Sequence, residues 1–457
     1  MMQLRPYQQQ AISDLRLAFR NGARAPLLVG ATGMGKTVIF SAITAGAVER
    51  GRRVLILVHR RELIRQASAK LTQAGVNHGI IAAGFDPSDH PVQVASVQTL
   101  ARRLERQHWQ PDLIVIDEAH HAIAGTWTNV ISHWPDSLLL GVTATPVRQD
   151  GRGLGAMFDR LVLGPSTAEL VATGYLTPVK IYAPPQVADL TGIRTRAGDY
   201  ANDQAAAAMT RPTVTGDAIS HYQRIAASQP AIAFCCNVNH ATTVSDAFNA
   251  AGISAATLLG NTTDRDALVA RFAAGELQVL VTVDVVSEGF DCPGAAVAIL
   301  LRPTQSEGLY LQQVGRVLRP APGKASAIIL DHVGNVHRHG FPDDVRPWTL
   351  DDSRQRTGKG GPPAPCVRTC ENCFAAFAPQ PQCPVCGTPS KLSTRELKQQ
   401  AGELQELARD AVARSRRRDQ GQARTLQELI HLGQQRGMKN PVAWAKHVHY
   451  ARQGKHG

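Results

Sequence analysis

Between the apolar run Pro26-Leu27-Leu28-Val29 and a helical stretch, the chain carries Gly30-Ala31-Thr32-Gly33-Met34-Gly35-Lys36-Thr37. This segment restricts the fold most. A glycine-rich turn ending in Lys-Thr lets successive backbone N–H groups face one anion, and it needs a strand before it and a helix after it. That order is the first unit of a parallel α/β sheet. In the pattern GxxxxGK[ST], Gly30, Thr32, Gly33 and Gly35 shape the cradle, Lys36 reaches the β/γ oxygens of ATP, and Thr37 holds Mg²⁺.

The loop lacks carboxylates, and a second apolar run supplies them. Leu113-Ile114-Val115-Ile116 delivers Asp117-Glu118-Ala119-His120. An acidic pair at the carboxyl end of a buried strand divides the work, Asp117 toward the Mg²⁺ shell and Glu118 toward the attacking water. A third string, Gln312-Gln313-Val314-Gly315-Arg316-Val317-Leu318-Arg319, sets Arg316 and Arg319 on one helix face. There they would neutralise charge on a transferring phosphoryl group.

Apolar runs near 26–30, 54–58, 92–96, 113–117 and 138–142 alternate with helical or loop stretches, and a second series follows near 231–236, 253–258, 279–283, 296–301 and 326–331. Such alternation predicts two parallel sheets, with ligands beyond the strands' carboxyl ends.

From Leu4 to Asn335 the motifs follow the order of the superfamily 2 helicases of the DEAD/DEAH-box type, and the chain resembles that family. The resemblance implies two tandem RecA-like parallel-sheet motor domains. It assigns adenine recognition to Arg5 and Gln8 of Leu4-Arg5-Pro6-Tyr7-Gln8, and nucleotide contact to Gly289 and Asp291 of Glu288-Gly289-Phe290-Asp291. Grip on the nucleic-acid backbone falls to Arg61 and Gln66 of His59–Gln66, Ser96 and Gln98 of Ala95–Thr99, and Thr282. Coupling falls to His120, to Thr143 and Thr145 of Thr143-Ala144-Thr145-Pro146, and to Gln312. Within the superfamily, Tyr175–Pro178, Leu301–Thr304, Ala321–Lys324 and Leu330-Asp331 ahead of Gly334-Asn335 are similar to the bacterial and phage RadD-like branch. His120 and a short C-terminal region depart from it.

At 457 residues the chain has room for about three domains. The expected partition is motor domain 1 over 1–185, a helical connector over 186–215, motor domain 2 over 216–345, a flexible Gly/Pro-rich linker over 346–365, a zinc ribbon over 366–390 and a basic helical tail over 391–457. No apolar stretch predicts a membrane span. The N-terminus lacks the apolar core of an export signal, so a cytoplasmic protein with reduced or metal-bound cysteines is expected.

Cys370-Glu371-Asn372-Cys373 and Cys383-Pro384-Val385-Cys386 are two CxxC pairs nine residues apart. Four thiolates on two tight turns suit one structural Zn²⁺, which can fold a segment too poor in apolar residues to make a core. Cys366 is left outside that set. Cys235, Cys236, Cys292, Trp127 and Trp134 read as packing residues.

The net charge is +12, and residues 393–457 hold 13 Lys/Arg against 6 Asp/Glu. A basic excess favours polyanions through counterion release without distinguishing DNA from RNA. The cluster Arg414-Ser415-Arg416-Arg417-Arg418 fits either phosphate contact or a solvated helix face.

The expected function is an ATP-dependent DNA helicase or translocase in repair, recombination or phage replication, with ATP, Mg²⁺ and structural Zn²⁺ and with proteins of those processes as partners. The alternatives are a DNA-stimulated ATPase that assists a partner without strand separation, and an RNA helicase. A third class, a retired motor that only binds, is disfavoured by the intact Lys36, Asp117, Glu118, Arg316 and Arg319.

Overall fold

Strands buried on both faces read as continuous apolar runs, and those runs build the centre of the molecule. In a computed structural model, described for residues 3–107, 109–122, 125–148, 152–183, 192–196, 199–209, 218–226, 229–283, 292–351, 365–390, 419, 423, 425–436, 438 and 440–453, two parallel sheets form within residues 1–391.

The first sheet has seven strands: β1 Pro26–Val29, β2 Val54–Val58, β3 Gly79–Ile81, β4 Val92–Ser96, β5 Leu113–Asp117, β6 Leu138–Thr143 and β7 Arg160–Leu163. Their order is β3-β4-β2-β5-β6-β1-β7, with every pairing parallel. The three strands that carry chemistry are therefore adjacent. Leu28 pairs with Val142, and Ile116 with Gly141, so the ends of β1, β5 and β6 deliver Gly30, Asp117 and Thr143 to one edge.

The second sheet contains β8 Val179–Tyr182, β11 Ala231–Phe234, β12 Ala255–Leu258, β13 Val279–Thr282, β14 Val297–Leu300 and β15 Ala327–Asp331, in the order β12-β13-β11-β14-β15-β8. Here the expected partition needs correction. β8 falls inside the span assigned to motor domain 1, yet it pairs with β15. Its exposed Lys180 and half-buried ends mark an edge strand, whose broken apolar pattern hid it in the sequence.

The connector is also more integrated than expected. A two-stranded ribbon, β9 Thr195–Arg196 and β10 Asp199–Tyr200, precedes the helix Asn202–Met209. Asp199 binds the second motor by accepting from Thr304 Oγ1 at 2.8 Å and from the Gln305 N–H at 2.7 Å.

Residues 346–351, expected to begin a flexible linker, are built into the motor. The Arg346 guanidinium donates to Glu307 and to the carbonyls of Pro342, His339, Phe341 and Asp344. Trp348 and Leu350 then pack on the core of the first motor, and the Gly155 N–H donates to Leu350 O at 2.9 Å. The rest of that linker, 352–364, lies outside the described residues.

The ribbon Pro365–Ser390 packs on β8. The Ala183 N–H donates to Phe374 O at 2.9 Å, and Tyr182 bridges to Ala375. In the C-terminal unit, helices Leu426–Gln435 and Pro441–Gln453 form a hairpin, opened by a capping box between Thr425 and Glu428. The cluster Arg414–Arg418 lies outside the described residues.

Candidate nucleotide site between two motor domains

The phosphate loop starts where β1 ends. Gly33 and Gly35 have φ of +94° and +84°, a region that side chains other than glycine enter only with strain. Lys36 opens the helix Lys36–Val48, and its Nζ donates to Gly30 O at 3.0 Å and Ala31 O at 3.4 Å. Thr37 follows on the first turn. Met34 was not singled out in the sequence, yet it is fully buried and its sulfur supports the loop where a side chain on Gly30 would sit. An apolar residue within a run of small polar ones was its only signal.

Gln8 and Arg5 take a bracing position beside the loop. Gln8 Nε2 and Tyr7 OH each donate to Met34 O at 3.0 Å, while Gln8 Oε1 accepts from the Arg5 N–H at 3.0 Å. Both ends of the Gln8 amide are thus engaged with backbone. Arg5 stays exposed, its guanidinium 4.8 Å from the Tyr175 ring centroid.

Asp117 closes β5 and accepts from the Glu118 N–H at 3.0 Å. Glu118 has φ +51°, and a left-handed conformation in a residue with a side chain costs about 1 kcal/mol or more. Both carboxylates are buried. Glu118 Oε2 lies 3.4 Å from His120 Nδ1, which is 3.0 Å from Thr143 Oγ1. The Thr143 hydroxyl donates to Thr145 O at 2.9 Å, so His120 carries its proton on Nδ1 and donates to Thr143, a tautomer assigned from the network. Thr145 in turn packs against Gly308 of the second motor.

The second motor closes the site with the helix Glu307–Gly315, capped by Ser306, whose Oγ accepts from the Leu309 N–H. Gln312 and Arg316 are buried. Gly315 meets Thr32 so closely that an added methyl would lie 2.3 Å from the Thr32 Cβ. Gly33 faces Leu176 and the Arg319 side chain. Lys324 holds the turn after Arg319 by donating to Ala295 O at 2.6 Å, Arg319 O at 2.7 Å and Pro293 O at 3.2 Å. Burial brings its pKa down to about 8.

One ammonium reports the convergence. Burial, the largest cause, lowers the Lys36 pKa; Glu118 and Asp117 of its own motor oppose that, while Arg316 and Arg319 of the other motor reinforce it. Charges from both sheets act on the same nitrogen. Loop donors and two carboxylates from the first motor, with two arginines from the second, suit a polyphosphate and a divalent cation. Gly289 and Asp291 lie outside the described residues.

The expected nucleic-acid contacts group on the same carboxyl edge, further along it at the ends of β2 and β4. Arg61 opens the helix Arg61–Gln73, is exposed, and donates to Ala83 O at 3.3 Å. Gln66 is half-buried on the same helix, and Ser96 at the end of β4 donates to Gln98 Oε1 at 3.0 Å. Thr282 requires correction, because it is fully buried and its hydroxyl donates to Leu258 O at 3.0 Å, which removes the side chain from any backbone grip. Ion pairs Glu62–Arg265 at 2.8 Å and Arg65–Asp266 at 3.2 Å join the motors near Arg61.

In the ribbon, the sulfurs of Cys370, Cys373, Cys383 and Cys386 lie within 4.8 Å of one another, and Cys366 is outside the group. Cys370 and Cys386 sulfurs are 3.5 Å apart, Cys373 and Cys383 sulfurs 3.6 Å. Tetrahedral thiolates at about 2.3 Å from zinc would be about 3.8 Å apart, so the donor set fits that metal. Trp127, Trp134, Cys235, Cys236 and Cys292 are buried, as packing residues should be.

Residues 1–148 match the family described as type III restriction enzyme, res subunit, and residues 217–321 match the helicase conserved C-terminal domain. A 51.5 kDa protein of a Lactococcus phage is 35% identical over 358 residues, covering 78% of this chain and 76% of that protein. The Saccharomyces cerevisiae protein IRC3, named as an ATP-dependent helicase, is 31% identical over 354 residues, 72% of this chain. This chain spans 51% of the yeast protein's length. Among solved structures, an HsdR-subunit fragment of a type I restriction enzyme from Vibrio vulnificus YJ016 has a TM-score of 0.58 at 22% identity, covering 74% of this chain and 67% of that one. It shares the fold.

Proposed function

This chain belongs to the superfamily 2 helicases, nucleic-acid-dependent ATPases, and from that membership we propose that it is an ATP-driven DNA translocase or helicase of repair, recombination or phage replication. The observation that carries the reading is the seating of the arginine-bearing segment on the phosphate loop, with Gly315 against Thr32 and the Arg319 side chain against Gly33. DNA is favoured over RNA by the restriction-enzyme family matched by the first motor and by the phage relative. The RadD-like placement rests on the sequence motifs.

In this reading Lys36 and the loop N–H groups hold the phosphates of ATP. Thr37 and Asp117 would hold Mg²⁺, which would neutralise charge on those phosphates. Glu118 orients the attacking water and takes its proton. Arg316 and Arg319 stabilise the charge of the transferring group only when the second motor meets the first, so chemistry requires closure. His120, Thr143 and Thr145 pass the state of Glu118 to the helix containing Gln312. Arg61, Gln66 and Ser96 hold the strand on the first motor while the second moves. Cys370, Cys373, Cys383 and Cys386 would hold a structural Zn²⁺, which would stiffen the ribbon against β8.

Remodelling without strand separation is the second reading. It is favoured by the extra tie between the motors at Leu350 and Gly155, which shortens their excursion. ATP turnover measured with single-stranded, duplex and forked DNA and with RNA tests the main proposal. Stimulation by DNA above RNA is expected, and no stimulation by any of them would overturn it. Displacement of a labelled strand separates the two readings.

A further inference from the structure

A cavity of about 1140 Å³ opens on the first motor at the end of the sheet opposite the nucleotide site. It lies at the amino ends of β2, β5 and β6, whereas Asp117 and Thr143 stand at the carboxyl ends of β5 and β6. Five residues of strand separate the two ends of β5, roughly 16 Å, so the sites are distinct. The cavity is lined by Arg16, Arg20, Arg50, Arg52 and Arg53, all exposed, with half-buried Phe19 among them.

The charge is unbalanced. Asp112 and Asp136 are the acidic residues of the lining. Asp112 is committed to Arg52 at 2.9 Å and to the Arg53 N–H at 2.8 Å. Arg50 donates to Gly46 O. Among the described residues, no ion pair engages Arg16, Arg20 or the Arg53 guanidinium. Five guanidinium groups from two stretches of chain meet in one concavity, and the site of ATP chemistry uses none of them.

We propose that this cavity is a second nucleic-acid site, taking the backbone of a single strand with phosphates on Arg16, Arg20 and Arg53 and a base against Phe19. Arginine forks pair with phosphate in two-pronged geometry and also stack on bases, and basic grooves interleaved with aromatics bind single strands without reading sequence. Arginine alone would accept a carboxylate equally. Phe19 tips the balance toward a stacked base, as does a substrate that already carries phosphates. The inference rests on the reading of the chain as a nucleic-acid motor. The cavity runs along the helix Pro6–Arg20 from Gln9 to Arg20 and meets the end of the helix Lys36–Val48 at Gly46 and Ala47, so a strand held here would touch the two elements that brace the ATP loop.

The test uses the full chain and an oligo-dT probe. Changing Arg16→Glu, Arg20→Glu and Arg53→Glu together should weaken oligo-dT binding at least ~10-fold and lower the log–log salt slope by about 2, from three lost phosphate contacts. ATP hydrolysis without nucleic acid should stay at the wild-type rate. Unchanged affinity and slope would overturn the site. If wild type shows no ATPase activity at all, the motor reading fails instead. In case the reversed charges disturb folding, oligo-dT should also protect Arg16 and Arg20 of wild type from phenylglyoxal, read by mass spectrometry. Absence of protection would overturn the proposal, as would protection by oligo-glutamate and not oligo-dT, which would give the cavity to an acidic peptide.

Discussion

His120 Nδ1 and Thr143 Oγ1 are 3.0 Å apart, and this hydrogen bond joins the carboxyl end of β5 to that of β6. Because Glu118 Oε2 lies 3.4 Å from the same nitrogen, a change at this carboxylate alters the environment of Thr143 directly. His120→Ala should therefore lower nucleic-acid-stimulated ATP turnover by up to about 10-fold while basal turnover falls less, since a hydrogen bond between neutral groups is worth about 0.5–1.5 kcal/mol. A titration of turnover against DNA checks it. Equal loss in both regimes would assign His120 to chemistry instead of coupling.

Glu118→Gln keeps the shape of the site and removes the base proposed for it. Turnover should fall by about 10²-fold or more, with ATP binding retained. Lys36→Ala should lose both, and Arg319→Ala should lower turnover more than binding. Nucleotide binding by fluorescence alongside phosphate release separates these cases.

Gly315→Ala tests closure. An added methyl would lie 2.3 Å from the Thr32 Cβ, so the second motor could not seat on the loop. Turnover should drop by about 10-fold or more, equivalent to about 1.4 kcal/mol, while the unfolding temperature changes little. Full activity in that variant would show that the motors do not meet there during hydrolysis.

Elemental analysis should find about one zinc per chain. Cys373→Ser should abolish it and loosen the ribbon from β8, detected as faster amide exchange at Ala183, whose N–H donates to Phe374 O. Cys366→Ser should keep the metal.

Acid should weaken the second motor. Burial drives the His240 pKa down to about 4 from an ordinary 6.5, so the folded state resists the proton that the unfolded chain takes up. Stability is whole above pH 6.5 and falls as pH drops toward 4, by about 3 kcal/mol at most for this one group. Burial lowers His339 to about 4 as well. Denaturant unfolding at stepped pH should show this slope, and His240→Gln should flatten it.

Much of the chain was legible without coordinates. Val54–Val58 and Leu113–Asp117 are buried along their whole length, and a strand covered on both faces has to be apolar throughout, which is why such runs stand out. The phosphate loop was legible because its chemistry depends on backbone geometry that glycine alone supplies cheaply. The cysteine pairs were legible because metal ligation sets their spacing. β8 was not, since an edge strand alternates, and neither was the burial of Thr282, which depends on where Leu258 of the neighbouring strand falls.

Sequence by itself determined which residues this protein could use: Lys36, Asp117, Glu118, Arg316 and Arg319, each tied to a local motif. Tertiary structure alone decided that they act on one another. Lys36 and Arg319 belong to different motors, and packing such as that of Gly315 on Thr32 and of Leu176 on Gly33 brings them together. The same holds for Arg16 and Arg53, which share a cavity because a helix end and a strand start meet there. Local patterns are set by bonds between near neighbours along the chain. Sites built from distant segments are set by side-chain volume at the contact, and no short window of sequence contains that information.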